Sequence, residues 1–174
     1  EAYWIYDLEL MQKMATVLGK TADAQTFQDL HQQRKAFFNA TYVERQSGKT
    51  IHSGFKQNPS ATLKAGDTVD TQTSYVLPLA FDAYDSEHLP KAVDRFVESI
   101  KRETKAENGT LTPSYSLMTG FIGTALLNKA LSDQRHSETA YRLLQQTSYP
   151  SWFYSVAPGA TTIWDRLKSY TPPN

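Results

Sequence analysis

The 174-residue sequence contains no cysteine, which removes disulfides, thiol nucleophiles, thiolate metal sites and thiol redox chemistry together. It also lacks net charge, because 18 Lys and Arg offset 18 Asp and Glu. A neutral chain sets up no long-range field for a polyanion or an anionic bilayer, so neither nucleic acid nor membrane is an expected partner. No apolar run approaches the roughly 18 residues of a membrane span, and nothing at the start reads as a secretory leader. The four histidines, His31, His52, His88 and His136, form no pair at metal-ligand spacing and have no carboxylate cluster beside them. No metal and no cofactor is expected. Serine hydrolase chemistry lacks its GxSxG elbow.

What is present is aromatic: ten Tyr, eight Phe and three Trp in a chain of this neutrality suit a core and a sugar platform alike. At this length one domain with a real core is the default. The chain opens on EAYWIYDLELM, already amphipathic and without an initiator Met, so residues 1–174 are read as a partial domain from a longer chain. Two glycosylation-type triplets, at Asn39 and Asn108, are too short to carry weight.

The apolar periodicity is helical throughout. Ile5, Leu8, Met11, Ala15 and Leu18 recur at spacings of three and four, and Gly19 suits a C-terminal stop. Thr21 is placed to cap a second helix carrying Ala24, Phe27, Leu30 and Phe37 and ending near Asn39. Residues 41–69 read as a long loop of the kind that is usually functional. Helical patterning resumes near Asp70 with DTQTSYVLPLAF, where Pro78 implies a kink, and again from about Glu87 with Leu89, Val93, Phe96, Val97 and Ile100 on one face. After a loop at 104–118, a fifth helix starts near Thr119 and a sixth is capped by Ser137. The tail is rich in Pro, Gly and aromatics, with one more helical turn expected around 161–168.

Three helix pairs result, at about 2–39, 70–103 and 119–147, with tight turns inside pairs and long connections between them. TQTSYVLPLAF and TGFIGTALLNKAL are nearly uncharged, whereas the helices that follow them carry a charged stripe. The first kind is expected to be buried and the second to face water.

The segments DTQTSYVLPLAF, TGFIGT, LSD, AYRLLQQTSYPSW and above all GATTIWDR, in that order, resemble the C-terminal half of the catalytic domain of α-L-rhamnosidases, glycoside hydrolase family 78. The resemblance runs over most of the chain and implies an all-α fold, about half of an (α/α)6 barrel, with long loops on one end. It implies an inverting glycoside hydrolase that removes terminal α-L-rhamnose from a rhamnose-containing glycoside, with the rest of the parent catalytic domain as its structural partner. The family's base motif normally reads GATTIWE; this chain has Asp165 there, one methylene shorter. The resemblance also implies that the general acid, on an upstream segment around a CPxR-like motif, is outside these residues. One of two catalytic carboxylates is then present, and the fragment alone is expected to be inactive.

Taken without the family, Asp165 reads rather as a surface or helix-capping carboxylate paired with Arg166 or Lys168, and it is the resemblance that turns it into a base. The candidate site is therefore Asp165 as base, with Trp164, Trp152, Tyr154 and Arg166 around the sugar; both tryptophans could instead fill the barrel, and a loop tyrosine is commonly packing. Two other functions fit the same helices: a non-enzymatic helical-repeat binding module, and an (α/α)6 hydrolase for another sugar.

Overall fold

The computed structural model of the protein describes residues 1–55, 62–105, 109 and 111–162. Among these, six α-helices follow in order: α1 Ala2–Val17, α2 Thr21–Tyr42, α3 Gln72–Ala80, α4 Leu89–Lys101, α5 Phe121–Asp133 and α6 Ser137–Gln145. The described strand is one antiparallel ladder, β1 Thr104–Lys105 against β2 Leu111–Thr112. The fold class is all-α, as the periodicity requires. No described helix is long and apolar enough to cross a membrane.

The chain divides into two compact units, one of Glu1–Asp70 with Ser74–Arg95, the other of Thr71–Thr73 with the chain from Phe96 onward. In the first unit α1 and α2 pack as a hairpin. The helix ends where Gly19 takes φ +68°, a conformation that carries no Cβ penalty in glycine, while the Lys20 amide closes on the Ala15 carbonyl at 2.9 Å. Ile5, Leu8 and Ala15 of α1 are buried as their spacing predicts, but Met11 is 43% exposed and Leu18 falls just past the helix. The expected apolar face of α2 is also displaced: Phe38 and Asn39 are the buried pair, whereas Leu30 and Phe37 are exposed. The reason for Phe37 is that its ring covers the Arg34 guanidinium, which is held 4.7 Å from it and 4.3 Å from Trp4.

Neither Thr21 nor Ser137 caps its helix. Each is the first helical residue, after Lys20 and His136, and neither of these flanking residues makes a side-chain cap bond. The segment read as a loop after α2 is laced by backbone pairing, with bridges at Val43–Thr50 and Ile51–Thr68. Its alternation is too short and too polar to register as strand. Asn39, one of the two glycosylation-type asparagines, is buried, so it is closed to modification in the folded chain; Asn108 lies outside the described residues. The Asn39 side chain clamps the turn after α3: Nδ2 donates to the carbonyls of Lys35 and Ala83, both at 2.8 Å, and Oδ1 accepts from the Asp85 amide at 3.1 Å. Tyr84, between those two residues, is buried with its ring edge-on to Phe38, centroids 5.4 Å apart. Pro78 sits inside α3, which closes two residues later at Ala80.

In the second unit α5 packs on α6. Leu127, Ala130 and Leu131 of α5 and Ala140 and Leu143 of α6 are buried, joined in this unit by Phe96, Val97 and Ile100 from the end of α4. The spacing of the α4 residues matches the stripe read from sequence. The expectation that α5 is buried all round fails at its start, where Phe121 is 81% and Ile122 57% exposed.

Candidate functional site

The second unit contains a cavity of about 1080 Å³. Its walls come from three stretches: Leu117 to Phe121 leading into α5, with Thr124 and Ala125 one turn on; Tyr149 to Val156 around the short 3-10 turn Phe153–Ser155; and Ala160 to Thr162. No charged side chain is among the described lining residues. Polar contacts are available instead from the hydroxyls of Thr112, Thr119, Thr124, Ser155, Thr161 and Thr162, set among Leu117, Met118, Phe121, Trp152 and Phe153. A neutral recess that mixes aromatic rings with hydroxyls matches the two kinds of surface on a sugar, whose C–H faces stack and whose hydroxyls hydrogen-bond.

Local sequence explains how these walls are held. Gly120 precedes α5 in an extended conformation, and the Thr119 and Thr124 hydroxyls meet at 2.7 Å across that first turn. Gly123 must lack a side chain: a Cβ there would come within 3.0 Å of Thr119 Cβ and 3.4 Å of Thr73 Oγ1. The Leu117 amide donates to the Pro150 carbonyl at 2.8 Å, tying two of the three lining stretches together. Gln72, 3% exposed at the start of α3, holds the same stretch from behind. Its Nε2 donates to the Ser116 carbonyl at 2.9 Å and to the Ser99 carbonyl at 3.4 Å, and its Oε1 accepts from the Met118 amide at 2.9 Å.

Of the residues expected at the site, Trp152 lines the cavity. Its indole N–H is buried and has no hydrogen-bond partner among the described residues. Tyr154 is half-buried and is not itself among the lining residues; its ring packs edge-on against Tyr149, which is, at 5.3 Å between centroids. Asp165, Trp164 and Arg166 lie outside the described residues, as does most of the helical turn expected at 161–168. Sequence reasoning gave Thr119 as the approximate start of a helix and passed over Gln72. The TQTSY context held no signal that would single out one polar residue at a helix start.

Elsewhere three titratable groups are shifted by their surroundings. Burial, followed by a hydrogen bond donated to Asp70 at 2.7 Å, pushes the Tyr75 phenol well above its ordinary pKa. Burial does the same for Tyr84, whose hydroxyl has no partner among the described residues. Burial also pushes the Asp85 carboxyl up, but the amide and ring of His88, at 2.9 and 2.7 Å, outweigh it and hold that carboxyl below the usual range. Among the described residues no group of three or more His, Asp or Glu could hold a metal ion.

The hairpins α1–α2 and α5–α6 define a helical-hairpin fold, and the second unit carries a recess of hydroxyls and aromatic rings with no charged side chain among its described lining residues. The chain belongs to the family described as the bacterial alpha-L-rhamnosidase 6 hairpin glycosidase domain, whose profile matches residues 1–174. Six described helices, four of them packed as the hairpins α1–α2 and α5–α6, are in keeping with the expected half of an (α/α)6 barrel. The chain is 37% identical over 171 residues to an alpha-L-rhamnosidase of Formosa agariphila and 33% identical to one of Streptomyces avermitilis, covering 98% of this chain in both cases. It spans only 15% and 14% of the length of those relatives. Among solved structures it is similar to native α-L-rhamnosidase from Aspergillus terreus, with TM-score 0.75, 29% identity, and coverage of 98% of this chain and 17% of that one. It is also similar to the Streptomyces avermitilis enzyme complexed with L-rhamnose, with TM-score 0.73, 33% identity, and coverage of 98% and 14%.

Proposed function

We propose that this chain is part of an inverting α-L-rhamnosidase and that its cavity receives the terminal rhamnose of a glycoside. The observation that carries this reading is a cavity with no charged side chain among its described lining residues, the last of which, Ala160 to Thr162, belong to the sequence GATTIWD. Rhamnose is an uncharged deoxy sugar with one methyl-bearing edge, and a recess of threonine hydroxyls among Trp152, Phe153 and Leu117 meets both of its surfaces.

In this reading Asp165, three residues beyond Thr162 in the sequence, is the general base. It accepts a proton from a water as that water's oxygen attacks the anomeric carbon from the face opposite the leaving group. The glycosidic C–O bond breaks with its electron pair going to the aglycone oxygen, which takes a proton from an acid supplied by the rest of the parent domain. The product has the inverted configuration. Inversion needs the two carboxyl groups about 6.5–9.5 Å apart so that the water fits between them, and an aspartate arm shorter by one methylene, roughly 1.5 Å, is within the width of that range. Trp152 supplies a ring to the sugar. Trp164 and Arg166 flank the base.

The test is steady-state hydrolysis of an aryl α-L-rhamnoside by the full-length protein that carries this chain. NMR should find β-L-rhamnose as the first-formed anomer. Asp165→Asn should lower kcat by roughly 10²-fold or more with a smaller change in KM, and Asp165→Glu should preserve or raise activity. A kcat within about threefold of the parent in Asp165→Asn, about 0.6 kcal/mol of barrier, means that Asp165 is not the base.

A further inference from the structure

The stretch that walls one side of the cavity, Leu117 and Met118, is held largely from outside, the local side-chain bond beside it being that of Ser116 Oγ to the Pro113 carbonyl at 2.7 Å. Tyr115, just before it, has φ +61°, in the left-handed region that a β-carbon disfavours. A residue is kept there only when its surroundings over-determine it. The surroundings are identifiable: the Tyr115 amide donates to the Ile100 carbonyl at 2.7 Å, and Gln146 Nε2 donates to the Ser114 carbonyl at 2.8 Å. Both contacts act before the wall. Within it, Leu117 is turned to Pro150, and the two flanking backbone groups, the Ser116 carbonyl and the Met118 amide, both go to the side chain of Gln72.

That arrangement reproduces what a neighbouring β-strand would offer, one acceptor and one donor to groups two residues apart, from a single planar carboxamide. It also uses the amide's capacity on both sides, since Nε2 reaches Ser99 as well. Gln72 is buried and is not among the lining residues, so it cannot meet a ligand in the cavity directly.

We propose that Gln72 is a positioning residue that splints the Leu117–Met118 wall and thereby sets the affinity of the cavity for its sugar. This rests on the rhamnoside reading of the cavity. The wall is neutral and develops no charge in the reaction, so it holds the ground state and the transition state alike, and its loss acts on binding rather than on the chemical step.

The experiment compares the full-length protein with Gln72→Leu and Gln72→Glu. In Gln72→Leu, hydrogen exchange of the peptide containing Met118 should accelerate at least tenfold. KM for an aryl α-L-rhamnoside and the inhibition constant of L-rhamnose should rise together, about tenfold, with kcat within threefold. In Gln72→Glu an ionised carboxylate would set an oxygen against the Ser116 carbonyl, whereas the protonated acid can donate to it and still accept from Met118. Its KM should therefore fall toward the parent value as pH falls, a trend that Gln72→Leu lacks. Gln72→Glu also covers the case in which the leucine variant fails to accumulate. Unchanged exchange at Met118 overturns the proposal, as does accelerated exchange with KM and L-rhamnose inhibition at parent values. Should the parent protein neither bind L-rhamnose nor cleave a rhamnoside, the functional reading fails by itself, and the exchange measurement decides whether Gln72 splints the wall.

Discussion

Replacing Asn39 by Ala removes a side chain whose three hydrogen bonds all go to backbone. The bond to Lys35 is local to α2, but those to Ala83 and Asp85 fix the turn between α3 and α4. Two such bonds are worth about 1–3 kcal/mol net, at roughly 0.5–1.5 kcal/mol each. The Asp85 amide can be repaired by water, because that residue is half-exposed; Ala83 is fully buried, and its carbonyl is left without a donor. An orphaned buried acceptor sits at the upper part of that range or beyond it, so about 2–4 kcal/mol is expected. In a protein much longer than this chain, global unfolding need not be two-state, and the cost is better read locally. Hydrogen exchange at Asp85 should accelerate by about 30- to 700-fold, at about 1.4 kcal/mol per factor of ten. Asn39→Asp, equal in shape but without donors, should be at least as damaging at neutral pH. Exchange in Asn39→Ala within threefold of the parent would show that the clamp carries no load and that α2 packing alone orders the turn.

Tyr84→Phe should be neutral or stabilising by up to about 1 kcal/mol, because it keeps the edge-on contact with Phe38 and removes a buried hydroxyl that has no partner among the described residues. A loss above about 1 kcal/mol in the local exchange free energy of residues 81–85 would reveal a hydrogen bond to that hydroxyl. Asp85 tests the pH dependence. Its folded carboxyl is held below the ordinary value near 3.8, so its contribution is complete above that pH and is lost as pH falls through the lower folded value. Asp85→Asn should lower stability at pH 7 and converge with the parent in acid, as read from thermal midpoints against pH; a constant difference across that window would assign the effect to packing.

The elements that sequence resolved well are those whose signal is periodic and self-contained. The stripe on α4 is one example, because Val93, Phe96, Val97 and Ile100 alternate with charges that can only face water. Gly19 is another, since a left-handed residue after a helix needs nothing from elsewhere in the chain. The errors arise where something other than the apolar period decides. Phe37 looked like core but serves as a cover for Arg34, and Thr21 and Ser137 looked like caps although the helices start on them. For the candidate site, GATTIWD was read through resemblance and ends outside the described residues, whereas Trp152, read from its aromatic character, lines the cavity. Gln72 was not legible, because a buried amide is distinguished from an exposed one only by the carbonyl and amide it meets 44 and 46 residues away.

Asn39 and Gln72 solve one problem twice. In each unit a loop is gripped by a buried primary amide that spans the carbonyl of one residue and the amide of the residue two further on, 83 and 85 in the first unit, 116 and 118 in the second. A carboxamide offers a donor and an acceptor in one plane and stays uncharged at every ordinary pH. A carboxylate in either place would offer acceptors alone and would carry a desolvation cost of its own. For Gln72 neutrality has a second consequence, under the proposed mechanism. A general base in the site must stay ionised, and any further carboxylate buried beside the cavity would raise its pKa by like-charge repulsion. An amide clamp orders the wall and leaves the base's proton affinity alone, which is why Gln72→Glu is expected to disturb the pH profile as well as the binding, whereas Asn39→Asp, in the other unit, is expected to alter exchange around Asp85.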